Sequence, residues 1–185
     1  MFNKNSILFD DLYRYTGTKS WFLFFRYFFF TPGYRYLVFW RFTKGAHTLL
    51  GRLFWKMLMR QCGLRTGIQI PEGTEVEKGF KIGHFGMILM GHEVKCGKNF
   101  NISQGCSIGQ GVGKKNGQPT FGDNVCVQPN SVIVGNIKIG SNVVIAPLSY
   151  VDFDVPDHSI VIGNPAKIIP RQNASDMLIV YACKD

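Results

Sequence analysis

The chain has 185 residues, 45% of them apolar and 18% charged, with a formal net charge of +9. That balance excludes an intrinsically disordered chain, and the length suits one core with at most a small appendage. A uniformly basic nucleic-acid binder is excluded by where the charge sits: residues 1–65 carry 11 Lys/Arg against 2 Asp/Glu and 19 of the 26 aromatic residues, while residues 66–185 carry 10 against 10. The basic third also interleaves its cations with too much bulky apolar surface to stay open for phosphates, so no nucleic-acid partner is expected. The sequence divides into a basic, aromatic N-terminal region (1–65), a charge-balanced central region (66–170) and a C-terminal tail (171–185).

In the N-terminal region, Asp10 and Asp11 interrupt the first apolar run, which reads against a secretory leader. Residues 21–30 (WFLFFRYFFF) are the most apolar stretch. As a helix they extend about 15 Å, half of a ~30 Å hydrocarbon core, and Arg26, Pro32, Gly33, Arg35 and Arg41 prevent a longer span. After the Thr31-Pro32-Gly33 break, one further helical region is expected over residues 34–61. Its later part sets Arg52, Lys56 and Arg60 four residues apart as a basic stripe beside Leu49, Leu50, Leu53, Phe54, Met57 and Leu58. Such a composition suits a helix lying in a membrane interface, or one that packs on a neighbouring domain or subunit with its cations solvated. The five cysteines (Cys62, Cys96, Cys106, Cys126, Cys183) are odd in number and show no CxxC spacing, as expected of reduced, buried thiols.

From Ile70 onward a period of six emerges. Ile70, Val76 and Ile82 begin it; after a two-residue insertion it resumes at Met90, Cys96, Ile102 and Ile108. After a longer insertion it continues at Phe121, Val127, Ile133, Ile139, Ile145 and Val151. All thirteen positions are apolar, Gly often follows them, and the fifth place of each hexad is mostly small or β-branched (Thr74, Val94, Cys106, Val125, Ser131, Val143, Ser149). A six-residue period fits neither a helix nor a long alternating strand. It fits a solenoid with three flat faces, each taking one hexad per coil with its first residue inward. Twelve to thirteen hexads predict about four coils, stacked at the ~4.8 Å strand spacing.

Several motifs ride on this frame: Pro32-Gly33-Tyr34, Ile82-Gly-His-Phe-Gly86, Asn101-Ile-Ser-Gln-Gly-Cys-Ser-Ile-Gly109, Phe121-Gly-Asp-Asn-Val125, Val134-Gly-Asn-Ile137 and Val161-Ile-Gly-Asn-Pro-Ala-Lys167. As an ordered set covering residues 32–170, they resemble the left-handed β-helix acyltransferases of the serine acetyltransferase type, and most of all the shorter members from polysaccharide biosynthesis. The resemblance implies an all-β, left-handed parallel β-helix preceded by an α-helical region. It also implies a homotrimer with its sites between adjacent subunits, and acetyl-CoA as acyl donor. The family's catalytic histidine falls on His84, inside the two-residue insertion. Its coenzyme path falls on Gly109, Gln110, Pro129, Pro147, Asn164, Ala166 and Lys167, the last three in the Asn164-Pro165-Ala166-Lys167 ending. Gln69, Phe85 and Gln118 fall where groups supporting the acceptor or the histidine are expected. Where serine acetyltransferases place two carboxylates and an Arg-His pair, this chain has Gln69, Gly83 and the stretch Gly117-Gln118-Pro119-Thr120.

Acetyl transfer from a thioester to a hydroxyl needs a base, donors for the tetrahedral oxyanion and a positioned thioester. An imidazole near pKa 6.5 is the right kind of base at neutral pH, and a bulge commonly re-aims a side chain beside an active site. The Gly109 and Gln110 N–H groups are candidates for the oxyanion, and Gln69 for orienting His84. The loop of residues 110–119, with the pair Lys114-Lys115, is either a solvated excursion or an arm reaching substrate or coenzyme phosphate. His84 and His92 are the only coil histidines, too few for a metal site, and His47 and His158 have no chemical companion nearby. The expected function is an O-acetyltransferase acting on a sugar hydroxyl of a cell-surface polysaccharide or its lipid-linked precursor. It would be cytoplasmic and peripheral on an anionic membrane face. A serine O-acetyltransferase of cysteine biosynthesis is the alternative, and a non-catalytic trimeric scaffold the second.

Overall fold

The computed structural model describes residues 6–184. Four helices come first: α1 (Ile7–Thr16), α2 (Trp21–Phe30), α3 (Pro32–Gly45) and α4 (Leu49–Thr66). The single helical region expected over 34–61 is therefore two helices. The break falls at Ala46-His47-Thr48, where Thr48 takes up N-cap geometry and its Oγ1 accepts from the Gly51 N–H (3.2 Å). Pro32 starts α3 where its missing N–H costs nothing, and Gly67 stops α4 in the left-handed conformation. α1 was hidden by the two aspartates. Asp11 lies on its buried face, accepting from Arg41 Nε (2.9 Å) and from the Phe80 N–H (2.8 Å).

The remainder coils. Its strands are β1 (Ile68–Gln69), β2 (Glu75–Val76), β3 (Lys81–Ile82), β4 (Ile88–Met90), β5 (Lys95–Cys96), β6 (Asn101–Ile102), β7 (Ser107–Gly109), β8 (Thr120–Phe121), β9 (Cys126–Val127), β10 (Val132–Val134), β11 (Lys138–Ile139), β12 (Val143–Ile145), β13 (Tyr150–Val151), β14 (Ser159–Gly163) and β15 (Ala166–Pro170). They form three parallel sheets, the faces of a prism. The first runs β1-β4-β7-β10-β13, the second β2-β5-β8-β11, and the third β3-β6-β9-β12-β14 with β15 added antiparallel. All thirteen hexad leaders are buried, as are the seven small fifth-place residues. About five turns form rather than four. The extra one uses β13, a bridge from Ile139 to Val155 and β14, where the apolar spacing is no longer strictly six.

Two ladders that the period does not reveal hold the coils in register. Trp40, Phe80, Phe100 and Phe121 stack ring on ring up the core, with centroids 5.1–6.1 Å apart. At the corner between the second and third sheets, Asn99, Asn124 and Asn142 all adopt positive φ, which Asn tolerates better than most residues. Their amides link coil to coil: Asn99 Nδ2 donates to Asn124 Oδ1 (2.9 Å), and Asn124 Nδ2 to Asn142 Oδ1 (3.2 Å).

The open edge of the first coil is covered, as exposed strand edges require. α3 caps the first coil: Tyr36 Oη donates to Ile70 O and accepts from its N–H, and Trp40 Nε1 donates to Pro71 O. The tail returns along the third sheet, packing Ile179 on Cys126 and Val144, and donates from the Cys183 N–H to Asn99 Oδ1 (2.7 Å). Buried Arg14 of α1 ties these parts together, donating to Gly79 O, Tyr181 O and Asn101 Oδ1.

Candidate active site

Each coil passes from the third sheet to the first through a short corner. Register aligns these corners: Ile82 pairs with Ile102, Ile102 and Ile145 with Val127, and Ile145 with Val161. Residues 103–105, 128–130 and 146–148 make the ordinary three-residue corners. Between Ile82 and Ile88 there are five residues, 83–87, so the two-residue insertion is a widening of this one corner. The hydrogen-bonded ladder holds both flanks, with Gly83 N–H donating to Ile102 O and Ile88 N–H to Gly67 O, and the surplus residues are forced outward. His84 and Phe85 are exposed as a result.

Climbing from His84 at about 4.8 Å per coil, the same edge carries Gln104, Pro129, Pro147 and then Gly163-Asn164. Asn164 joins Pro165 through a cis peptide at the turn between β14 and β15, and Ala166 and Lys167 begin the antiparallel strand β15. One chain thus lines up His84, Pro129, Pro147 and Asn164 on a single edge. Gly109, Gln110 and Gln118 lie elsewhere, at the corner between the first and second sheets. There the loop of residues 110–119 folds back on itself, with Gly111 N–H donating to Gly117 O and Asn136 N–H to Lys115 O. Lys115 is committed to Asp152, which removes it from the lysines free to meet a phosphate. The Lys114 side chain lies outside the described residues. Gln110 Nε2 donates to Asn116 Oδ1 (2.7 Å), and Gln118 Oε1 accepts from the Glu93 N–H (3.3 Å).

No hydrogen bond joins Gln69 to His84, and among the described residues none reaches the His84 ring. Gln69 points outward from the first sheet, paired in register with Leu89. It lines a cavity of about 490 Å³ between α4 and the first coil, with Tyr36, Lys56, Arg60 and Leu64. Reading the sequence missed Gln104. It occupies the corner next above His84, beside Gly86, and its Oε1 is buried without a partner. A buried acceptor left open costs about 1–3 kcal/mol, a cost that active sites tolerate when a ligand completes them.

The cysteines supply no nucleophile. Burial raises all five thiols, Cys126 to about 12 and Cys183 to about 11, so they stay protonated near neutrality. Among the described residues no three His, Cys, Asp or Glu side chains gather at one point.

Residues 119–152 match the family model described as bacterial transferase hexapeptide (six repeats). The β-helix is of the left-handed, hexapeptide-repeat type. The serine acetyltransferase of Staphylococcus epidermidis (strain ATCC 35984) is 37% identical over 119 residues, covering 63% of this chain and 55% of that protein. The Staphylococcus aureus (strain Mu50) serine acetyltransferase is 40% identical over 108 residues, 57% and 50% of the two chains. This chain spans about half the length of the curated relatives it matches. Among solved structures, the Neisseria gonorrhoeae serine acetyltransferase superposes with a TM-score of 0.71 at 27% identity, over 92% of this chain and 69% of that one. The Brucella abortus serine acetyltransferase superposes with a TM-score of 0.73 at 20% identity, over 90% and 68%, a likeness of fold alone.

These relatives correct the expected acceptor. A sugar hydroxyl was inferred from Gln69, Gly83 and Gln118 standing where carboxylates and an Arg-His pair were expected, together with the basic, aromatic N-terminus. The named relatives are serine acetyltransferases, and this overturns the polysaccharide reading in favour of its alternative. Local replacements at three supporting positions carried less information than the whole length of the matched β-helix.

Proposed function

We propose that this protein is an acetyl-CoA-dependent serine O-acetyltransferase, with residues 66–170 as its catalytic unit. The observation that carries the reading is the agreement of two things: 37–40% identity to enzymes of that name, and one widened corner that puts a histidine on an otherwise regular edge.

In this reading acetyl-CoA lies along the edge, its thioester at His84 and its far end toward Pro129, Pro147 and the 164–167 turn. His84 removes the proton from the serine hydroxyl as that oxygen attacks the thioester carbonyl. The tetrahedral oxyanion collapses, expelling the coenzyme thiolate, which takes the proton back from the imidazolium. Products are O-acetylserine and the free thiol. Such a base contributes about 10²–10⁴-fold.

The oxyanion donors proposed at Gly109 and Gln110 lie on a different corner of the prism from His84. Among the described residues the Gln110 N–H has no acceptor. In this reading a neighbouring subunit brings the second corner to the first, in a homotrimer with three shared sites. The compartment proposed is the cytoplasm, where acetyl-CoA is available and five free thiols stay reduced.

Purified protein incubated with acetyl-CoA and L-serine is expected to form O-acetylserine, seen by mass spectrometry, and to sediment as a trimer. Absence of that product with folded trimer rejects serine as acceptor. A fully active monomer rejects the shared site.

A further inference from the structure

The surface most in need of an explanation is remote from this edge. α4 has 18 residues and buries only Met59, Cys62 and Thr66; α2 has 10 and buries only Phe24. Their outer sides leave ten apolar side chains more than half exposed, among them Phe22 (74%), Phe30 (82%) and Leu50 (81%). At roughly 100 Å² apiece these make a patch on the order of 1,000 Å², against about 300–600 Å² for the largest patch on an ordinary monomer.

The patch is continuous across both helices. Phe25 and Phe29 of α2 and Trp55 of α4 line one apolar groove of about 280 Å³, floored by Val38 and Phe42 of α3. Phe42 stacks on Trp55 at 4.5 Å, and Phe54 packs against the same indole. A groove so assembled is a fixed feature of the three-helix layer.

Charge identifies the occupant. No Asp or Glu occurs anywhere from residue 12 to residue 71. Arg26, Arg60 and Arg65 are exposed on the two helices, and Arg35 donates to Phe29 O at the end of α2. Arg52 and Lys56 share the single carboxylate of Glu72, so the expected basic stripe is partly neutralised but still net positive. A second copy of this face would set cations against cations with no carboxylate on either helix to answer them. An anionic bilayer presents what the surface lacks: headgroup phosphates for the arginines and an acyl boundary for the rings. Among the described residues no helix is long and apolar enough to cross a membrane, so the contact proposed is with the surface.

We propose that the outer face of α2 and α4 docks peripherally on an anionic lipid surface, with aromatic and leucine side chains inserted and Arg26, Arg60 and Arg65 at headgroup depth. The docking is independent of the acceptor, since it uses no residue of the His84 edge. Each cation near such a surface adds to the attraction, and three copies per assembly add avidity.

The test is flotation of the full chain with equimolar phosphatidylglycerol–phosphatidylcholine vesicles and with phosphatidylcholine alone. Cofloatation with the anionic vesicles only, weakened by high salt, is expected. Phe22→Ser/Phe29→Ser/Leu50→Ser, all at exposed positions, is expected to lower the bound fraction at least about tenfold, and Arg26→Glu/Arg60→Glu to do so separately, each with unchanged circular dichroism. Full-length protein that stays in solution with anionic vesicles overturns the proposal. So does a larger assembly that the same Ser substitutions dissociate, which assigns the face to a second copy.

Discussion

In the β-helix, Phe80, Phe100 and Phe121 are buried and stack through successive coils, whereas on α2 Phe22, Phe29 and Phe30 stand mostly clear of protein. The difference follows from what each backbone can enclose. A coil of three hexads surrounds its own inward positions, and the coils above and below complete the cover, so one chain suffices to hide every leader. Three helices laid as a single layer have two faces. The end of the β-helix covers the inner one, through Tyr36, Leu37 and Trp40, and the described residues leave the other open. The charges obey the same division: the β-helix region is balanced, and α2, α3 and α4 are cationic without carboxylates. A solenoid edge is well suited to regular, rigid placement of small groups, which is where the proposed chemistry lies. An open helical face suits contact with something large and soft.

The sharpest way to break this comparison is to remove the same ring from each region. Phe100→Ala is expected to destabilise by about 3–5 kcal/mol, because its site is enclosed by fixed coils and cannot collapse. Phe22→Ala should stay within about 0.5 kcal/mol. Urea melts of the two variants check this, and equal losses would mean that the open face is covered in the folded assembly. A smaller effect sharpens the account of the coils. Asn124→Ala removes one rung of the amide ladder and puts a Cβ-bearing residue without a compensating hydrogen bond at φ 56, for an expected loss of about 1–3 kcal/mol by the same melts. Asn124→Gly should recover part of it, since glycine restores the conformation but not the amide; no difference between the two would show that the bonds, not the backbone, set the cost.

Much of the fold was legible because inward positions repeat at a fixed interval, and thirteen apolar residues in one register leave few alternatives. What escaped notice was set by contacts between coils. The asparagine ladder occupies the fourth place of its hexads, but polar residues at corners look like ordinary turns until the corners are stacked. α1 was obscured because a carboxylate in an apolar run reads as an interruption. Arg41, distant in sequence, and the backbone N–H groups of Gly79 and Phe80 hold Asp11 inside. At the candidate site, the widened corner that exposes His84 was legible from the broken period, and the open Gln104 Oε1 was not, since an unmet acceptor is invisible in a string of letters. Gln69 was named because it falls where the resembled family places a supporting carboxylate, but His84 lies on a corner and Gln69 on a face. The acceptor was misread because three substituted positions were weighed above the rest of the match.

The account turns on the claim that the His84 edge, and not the helical face, carries the transfer to serine. The direct measurement is kcat for O-acetylserine formation by the intact protein, by His84→Ala and by Phe22→Ser/Phe29→Ser/Leu50→Ser, each with its fold and assembly checked. His84→Ala should lose about 10²–10⁴-fold while the triple variant keeps its rate in vesicle-free solution. A folded His84→Ala protein within about tenfold of the intact rate would contradict the assignment, because removal of a general base costs more than that.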